Sequence, residues 1–123
     1  MKAFEKEAKA RWGGTAEYKE YEEKAMGRSA EERNALAAGL DMLMGCFASC
    51  MKSEKAPGSS EAQALVLKLQ SYITEHYYAC TDDILASLGE MYVGDERFKR
   101  NIDRHGEGTA DFIRRAIQLM TGR

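Results

Sequence analysis

The chain has 123 residues, with 18 basic and 20 acidic side chains and a formal net charge of −2. This length suits one domain with a substantial core, and the charge balance provides no basic face to neutralise nucleic-acid phosphates. We therefore expect a single domain, residues 1–123, that does not bind nucleic acid directly.

Compartment and fold class can also be predicted from composition. No apolar run approaches the length of a membrane span, and the first residues lack the apolar segment of a signal peptide. We therefore expect a cytoplasmic protein that does not enter a membrane, with its three cysteines reduced. One proline and few β-branched runs favour an all-α fold.

Two short helices are predicted before Arg28. The first ends at the glycine pair after Trp12, and the second runs from a cap at Thr15 to Gly27. Short helices with narrow apolar stripes are marginal in water and need a surface to pack on. Residues 1–28 are therefore predicted to be the mobile part of the chain, and residues 29–123 a stable helical core.

Two long amphipathic helices come next. A capping box of Ser29 with a glutamate three residues later starts a helix whose apolar series continues to Met51. After a loop with the only proline, Ser60 with a glutamine three residues later starts a second helix that reaches Tyr77. Both helices should contribute most of their apolar faces to the core.

A helix is predicted from a cap at Thr81 to Val93, followed directly by another helix. Gly94 is placed to form a left-handed cap, and Asp95 to cap a short helix that runs toward His105. The two helices should therefore meet at a tight corner. The glycine within the first of them, Gly89, indicates close packing of helices or of a ligand.

The last predicted helix begins at Thr109, as its cap, and presents an apolar face as far as Met120. Caps and helical periodicity along the whole chain predict a compact all-α bundle of about six or seven helices.

Cysteine and histidine spacing allows two chemical readings besides ordinary packing. Cys46 and Cys50 on one helix, with His76 and Cys80 near the end of another, could supply two pairs of zinc ligands. His76 and Cys80 could instead form a base and nucleophile if the helix continued between them. No orienting acid or ligand-bearing tight loop accompanies either set, so we expect no enzyme activity, no metal and no cofactor.

Aromatic residues are the more suggestive feature of the sequence, because they combine large apolar faces with polar tips that suit an amphipathic ligand. They could line a cleft for a small molecule or form an ordinary core. They are Trp12, Tyr18, Tyr21, Tyr72, Tyr77, Tyr78, Tyr92, Phe98 and Phe112.

Several separated motifs resemble one family in order and spacing. The stretch from Leu88 to Phe98 is similar to the signature of TipAS-type antibiotic-binding domains, which form the C-terminus of some MerR-family regulators. The stretches 11–18, 78–80 and 101–103 also follow the family pattern. The resemblance implies a helical, globin-like bundle with a cleft for bulky hydrophobic antibiotics, notably thiopeptides, and a binding function without catalysis.

The same resemblance implies which residues contact the ligand. Members that trap thiopeptides covalently have a cysteine where this chain has Ser87, so binding here should be reversible. By this resemblance, residues 1–28 form a closing segment that folds over the ligand and contributes Trp12 and Tyr18. One wall of the cleft would be formed by Tyr72, His76 and Tyr77, and the opposite wall by Ser87, Met91 and Tyr92.

The context of the domain leaves alternatives open. The chain could be a free-standing protein that sequesters the drug, or the sensor domain of a regulator. A different class of function is a helical protein-interaction domain that presents an exposed aromatic surface to a partner.

Overall fold

The computed structural model describes residues 27–122, and this range is helical with no strand. The all-α prediction is confirmed. The predicted six or seven helices are not matched, because five helices are described and the two predicted before Arg28 lie outside the described residues. The five are α1 (Ala30–Lys52), α2 (Ser60–His76), α3 (Asp82–Gly94), α4 (Glu96–Asp103) and α5 (Thr109–Thr121).

The predicted caps of α1 and α3 are confirmed. Ser29 Oγ accepts a hydrogen bond from the amide of Glu32 at 3.1 Å, and Thr81 Oγ1 accepts one from the amide of Ile84 at 3.3 Å. The amides in the first turn of a helix have no acceptor within the helix, and each of these side chains accepts a hydrogen bond from one of them. These two helix starts are therefore specified by local sequence.

A single residue, Asp95, joins α3 to α4. Its amide donates to the carbonyl of Met91, and its carboxylate accepts from the amide of Arg97, both at 2.9 Å. The predicted cap at Asp95 is confirmed, but the left-handed conformation predicted for Gly94 is wrong. Gly94 is the last residue of α3, and Asp95 makes the turn in an extended conformation, so no left-handed residue is needed.

The caps of α2 and α5 lie one residue before the predicted positions. Ser59, and not Ser60, accepts from the amide of Ala62 at 3.2 Å. Gly108 precedes α5 with a positive φ of 90°, a conformation that glycine adopts without steric cost. Thr109 is then the first helical residue, and its hydroxyl donates back to the carbonyl three residues earlier instead of capping the helix.

The core is centred on α5, which packs most extensively against α3. A Cβ added to Gly89 would lie 3.3 Å from Ile117 Cδ1 and 3.6 Å from Arg114 Cα, so the two helices approach closely at this glycine. Helix packing is therefore one reason for the glycine that interrupts the pattern of α3. The fully buried core side chains include Phe47, Val66, Leu69, Leu85, Leu88, Ala110, Ile113 and Ile117.

Asp103, the last residue of α4, fixes the start of α5. Its Oδ1 accepts from the amide of Ala110 at 2.9 Å, and its Oδ2 accepts from Lys99 Nζ at 2.9 Å. The carboxylate therefore compensates for the missing side-chain cap at Gly108, because it accepts an amide of the first turn of α5.

By length and composition, α1 is the one helix in the described range that could cross a membrane. The expectation that no apolar stretch reaches this length was therefore too strict. One such helix is weak evidence for a span, because core helices pass the same test. Leu40, Met44 and Phe47 on α1 are buried against the other helices, as in a core helix.

Candidate ligand-binding site

Three of the predicted site residues meet at the C-terminal end of α2. The rings of Tyr72 and His76 lie 4.6 Å apart between centroids, tilted by 58°. Arg28 donates from Nη2 to the His76 carbonyl, and its guanidinium carbon lies 5.8 Å from the centroid of the Tyr77 ring. We call these four residues the α2 aromatic cluster.

Tyr72 also fixes α2 against α1. Its hydroxyl donates to the carbonyl oxygen of Leu36 at 2.6 Å. A Cβ on Gly39 would lie 3.1 Å from Tyr72 Cζ and closer still to the hydroxyl oxygen. The absence of a side chain at position 39 is therefore what lets this tyrosine lie across α1.

The tyrosines of the α2 aromatic cluster are neutral hydrogen-bonding groups. Burial raises the pKa of Tyr77, the neighbouring Tyr72 raises it further, and the positive charge of Arg28 acts in the opposite direction. Burial likewise raises the pKa of Tyr72, with Arg28 again opposing. Both phenols therefore keep their protons at physiological pH and can donate or accept a hydrogen bond.

Tyr92 lies on α3, the helix that carries the second predicted wall. It is 3% exposed, and its pKa is raised by burial first and then by its neighbours Cys80 and Tyr77. Tyr92 is therefore a buried phenol that keeps its proton at physiological pH. Its ring also lies 6.3 Å from that of Phe98 on α4.

Ser87 and Met91 lie on an adjacent face of α3. Four residues apart, they share one side of the helix, which is about 160° to 200° around the axis from Gly89. Since Gly89 contacts α5, Ser87 and Met91 are directed away from α5. Met91 is 2% exposed and Ser87 is half-buried.

The structure thus brings Tyr72, His76 and Tyr77 together at the end of α2, while Ser87, Met91 and Tyr92 all lie on α3. The remaining two predicted site residues, Trp12 and Tyr18, lie outside the described residues.

The thiols do not form the reactive pair considered from sequence. α2 ends at His76, so the helix does not continue to Cys80, which was the condition for a base and nucleophile one turn apart. Burial, and secondly the charge of Asp82, raises the pKa of Cys80 to about 12. Cys80 is therefore a protonated thiol at neutral pH, and a thiol is a poor nucleophile compared with a thiolate.

The possible zinc ligands are also not assembled. Cys46 is exposed and Cys50 is buried on α1. Within residues 27–122, no three histidine, cysteine, aspartate or glutamate side chains are grouped so that they could hold a metal ion.

The sequence did not indicate that Arg28 contacts His76 and Tyr77, or that Leu36 and Gly39 contact Tyr72. Arg28 lies 48 positions from His76, and Leu36 lies 36 positions from Tyr72. No local pattern connects residues so far apart along the chain. The only signal was a glycine within the otherwise apolar series of α1.

Comparison with known proteins gives a consistent result. A model of the TipAS antibiotic-recognition domain matches residues 4–120. The HTH-type transcriptional activator mta of Bacillus subtilis is 38% identical over 98 residues, which are 80% of this chain and 37% of that protein. The HTH-type transcriptional activator TipA of Streptomyces coelicolor is 33% identical over 114 residues, which are 93% of this chain and 45% of TipA.

The chain therefore spans less than half the length of these curated relatives. A solved structure of TipAS from Streptomyces lividans, in complex with the thiopeptide antibiotic nosiheptide, matches with a TM-score of 0.83 and 32% identity. The match covers 99% of this chain and 85% of the TipAS chain.

Proposed function

Because this chain belongs to the TipAS antibiotic-recognition domain family, we propose that it binds bulky hydrophobic antibiotics of the thiopeptide type in a cleft between its helices. The observation that carries the proposal is the match to the nosiheptide complex of TipAS, which extends over 99% of the chain. A fold shared at this level supports a ligand-binding role of the same kind. We infer that the chain is one ligand-binding domain with the globin-like fold of the family.

We propose that Tyr72, His76 and Tyr77 form one wall, and that Ser87, Met91 and Tyr92 form the opposite wall. The tyrosine rings support this arrangement, because Tyr72 and Tyr77 provide aromatic faces on one proposed wall and Tyr92 provides one on the other. Such faces suit a flat, apolar ligand, while the phenol hydroxyls can select its polar groups. Trp12 and Tyr18 of the predicted closing segment complete the proposed set.

The wider role follows from the relatives. They are named as transcriptional activators, which are not enzymes, so we propose a binding role without catalysis. This domain then serves as the ligand sensor of a cytoplasmic regulator or as a free-standing protein that sequesters the drug. In either case, we propose that it makes no direct contact with nucleic acid or membrane.

The alternative of a protein-interaction domain required an exposed aromatic surface. Within residues 27–122, the large apolar side chains that are exposed are Met42, Leu67 and Leu119, and none is aromatic. The described part of the chain therefore gives this alternative no support.

Nosiheptide is expected to raise the melting temperature of the protein. A ligand that binds only the folded state at one hundred times its Kd stabilises by about 2.7 kcal/mol, or roughly 10 °C for a domain of this size. Thermal unfolding with and without nosiheptide measures this, with a hydrophilic aminoglycoside as the control compound. An unchanged melting temperature, together with no heat of binding in calorimetry, would contradict the proposal.

Binding in the proposed cleft is expected to be reversible, with no adduct on Ser87 or Cys80 of the wild-type protein. Thiopeptides carry dehydroalanine groups, to whose methylene carbon a thiolate can add while the α-carbon takes up a proton. Ser87 has a hydroxyl in place of the family thiol, and a serine without an adjacent base is a poor nucleophile. Because burial keeps Cys80 protonated, this thiol should not react either.

Intact-mass spectrometry after incubation with nosiheptide tests this, in a Cys46→Ser background that removes the exposed thiol. Ser87→Cys should gain the mass of one ligand. Ser49→Cys, an exposed thiol on α1, is the matched control and should react far more slowly. An adduct that maps to Ser87 or Cys80 of the unmutated chain would show that the argument is wrong.

A further inference from the structure

Arg28 is a half-buried cation whose charge is not matched by a carboxylate within residues 27–122. None of the ion pairs in this range includes it. Arg33 is also unpaired in this range, but it is exposed, so water solvates its charge. A charge that is partly removed from water is costly unless a partner compensates for it. The other arginines of the range each pair with an aspartate or glutamate, and they are Arg97, Arg100, Arg104, Arg114 and Arg115.

The position of Arg28 beside the aromatic rings is fixed at two points. Its Nη2 donates to the carbonyl oxygen of His76, and its guanidinium carbon lies 5.8 Å from the centroid of the Tyr77 ring. Its own carbonyl oxygen accepts from Arg33 Nη1 at 3.3 Å. A guanidinium has five N–H donors, and this one makes a single hydrogen bond within the described residues. The side chain therefore has donors left for a further acceptor.

The aromatic neighbours of Arg28 do not neutralise its charge. Burial raises the pKa of Tyr77 and of Tyr72, and the opposing effect of Arg28 does not reverse either shift. Both phenols are therefore uncharged at pH 7, while the field of Arg28 reaches both. A cation in such surroundings is less screened than one in water, so it attracts a carboxylate or carbonyl oxygen more strongly.

We propose, on the basis of the proposed function, that Arg28 determines the specificity of the α2 wall and selects ligands that carry a carboxylate or carbonyl oxygen beside an aromatic ring. The ring packs on the tyrosines of the wall, and the oxygen accepts from the donors of Arg28 that His76 does not use. A planar guanidinium suits this role, because its edge can donate to an oxygen while its face stays on an aromatic ring. A cationic group at the same place on a ligand is repelled.

Calorimetric titration with nosiheptide, a peptide antibiotic with many carbonyl oxygens, is the first test. Arg28→Gln should weaken binding about tenfold or more, because a hydrogen bond from a charged donor is lost. Arg28→Lys keeps the charge but lacks the planar fork, so it should recover only part of the affinity. Arg100→Gln is the matched control, since it removes the same charge from a side chain on α4 that is 79% exposed, and it should bind as the wild type does. Circular dichroism checks that the variants are folded.

A pair of small probes provides the second test. 2-Naphthoate and 2-(aminomethyl)naphthalene share one ring system and carry opposite charges. In ¹H–¹⁵N correlation spectra, 2-naphthoate should cause a saturable shift of the Nε–H signal of Arg28, which reports on the guanidinium itself. The cationic probe should bind at least about tenfold more weakly, because an attraction is replaced by a repulsion. Arg28→Gln should abolish this preference, and Arg100→Gln should keep it.

Nosiheptide binding by the wild type separates this proposal from the proposed function. If the wild type and folded Arg28→Gln bind nosiheptide equally, the role of Arg28 is wrong and the proposed function is kept. Tighter binding by Arg28→Gln also overturns the role, because the guanidinium then competes with the ligand for the Tyr77 ring. If the wild type does not bind nosiheptide, the proposed function fails and the two probes decide. Equal binding of the probes, or no saturable shift with 2-naphthoate, then overturns the role of Arg28, whereas a preference that Arg28→Gln abolishes supports it.

Discussion

Replacing Gly39 with alanine is expected to destabilise the protein by about 2 kcal/mol, although alanine is the better helix former by roughly 1 kcal/mol. The added Cβ would lie 3.1 Å from Tyr72 Cζ and closer to the hydroxyl oxygen, so the whole ring must move. That movement breaks the hydrogen bond to the Leu36 carbonyl and opens the contact between α1 and α2. Urea unfolding of the two proteins measures the difference in free energy of unfolding.

Gly94→Ala is the matched control for this substitution. Gly94 is also helical, its φ is not positive, and nothing lies within 4 Å of an added Cβ. There, alanine should stabilise by up to about 1 kcal/mol. If Gly39→Ala stabilises as Gly94→Ala does, the position of Tyr72 across α1 does not depend on the glycine, and the explanation is wrong.

Asp103→Ala is expected to destabilise the protein by about 2 to 3 kcal/mol. The substitution removes the acceptor of both the Ala110 amide and Lys99 Nζ, at a carboxylate whose side chain is 14% exposed. The Ala110 amide, in the first turn of α5, then has no partner within the helix. Thermal and urea unfolding at pH 7 measure the loss. Glu107→Ala, which removes an exposed carboxylate nearby, is the control and should lower the free energy of unfolding only slightly.

The same carboxylate gives the stability a pH dependence in acid. Burial alone would raise the pKa of Asp103, but the amides of Ala110 and Gly108 and the charge of Lys99 outweigh it and hold the pKa below its usual value. Its contribution is therefore complete above about pH 4, where the unfolded chain is also ionised, and is lost as the pH falls through the folded-state pKa. Asp103→Asn should show a shallower loss of stability below pH 4. If the free energy of unfolding of this variant falls as steeply in acid as that of the wild type, other carboxylates cause most of the loss.

Helix starts were predictable where one residue alone had the right chemistry. Ser29, Thr81 and Asp95 each cap the predicted helix, because a short polar side chain there is followed directly by helical periodicity. At Ser59 and Ser60, two serines compete, and sequence does not show which one takes the extended conformation of a cap. Gly94 was misassigned for a related reason, since a glycine at a helix end also fits within the last turn.

Contacts between helices were beyond the reach of local patterns. Periodicity predicted that Tyr72 is on the apolar side of α2, but not that its hydroxyl would meet Leu36 on another helix. Arg28 is a charged residue that belongs to no apolar pattern in the sequence. Its position over the Tyr77 ring is seen only in the folded structure. The proposed binding residues on α2 and α3 were named by resemblance to a family, and their assignment to the cleft is still a prediction.

The close contact of Gly89 with α5 has a consequence for the free energy of binding. Helices packed backbone to side chain at this distance form a stiff pair, so the α3 face with Ser87 and Met91 has a nearly fixed shape. A wall that is already ordered loses little conformational entropy when a ligand binds to it. Most of the entropic cost of recognition then falls on the ligand and on the parts of the protein that adapt to it. Under the proposed assignment of Ser87 and Met91 to one wall, we expect affinity for ligands of different shapes to depend mainly on the side of the proposed cleft opposite α3.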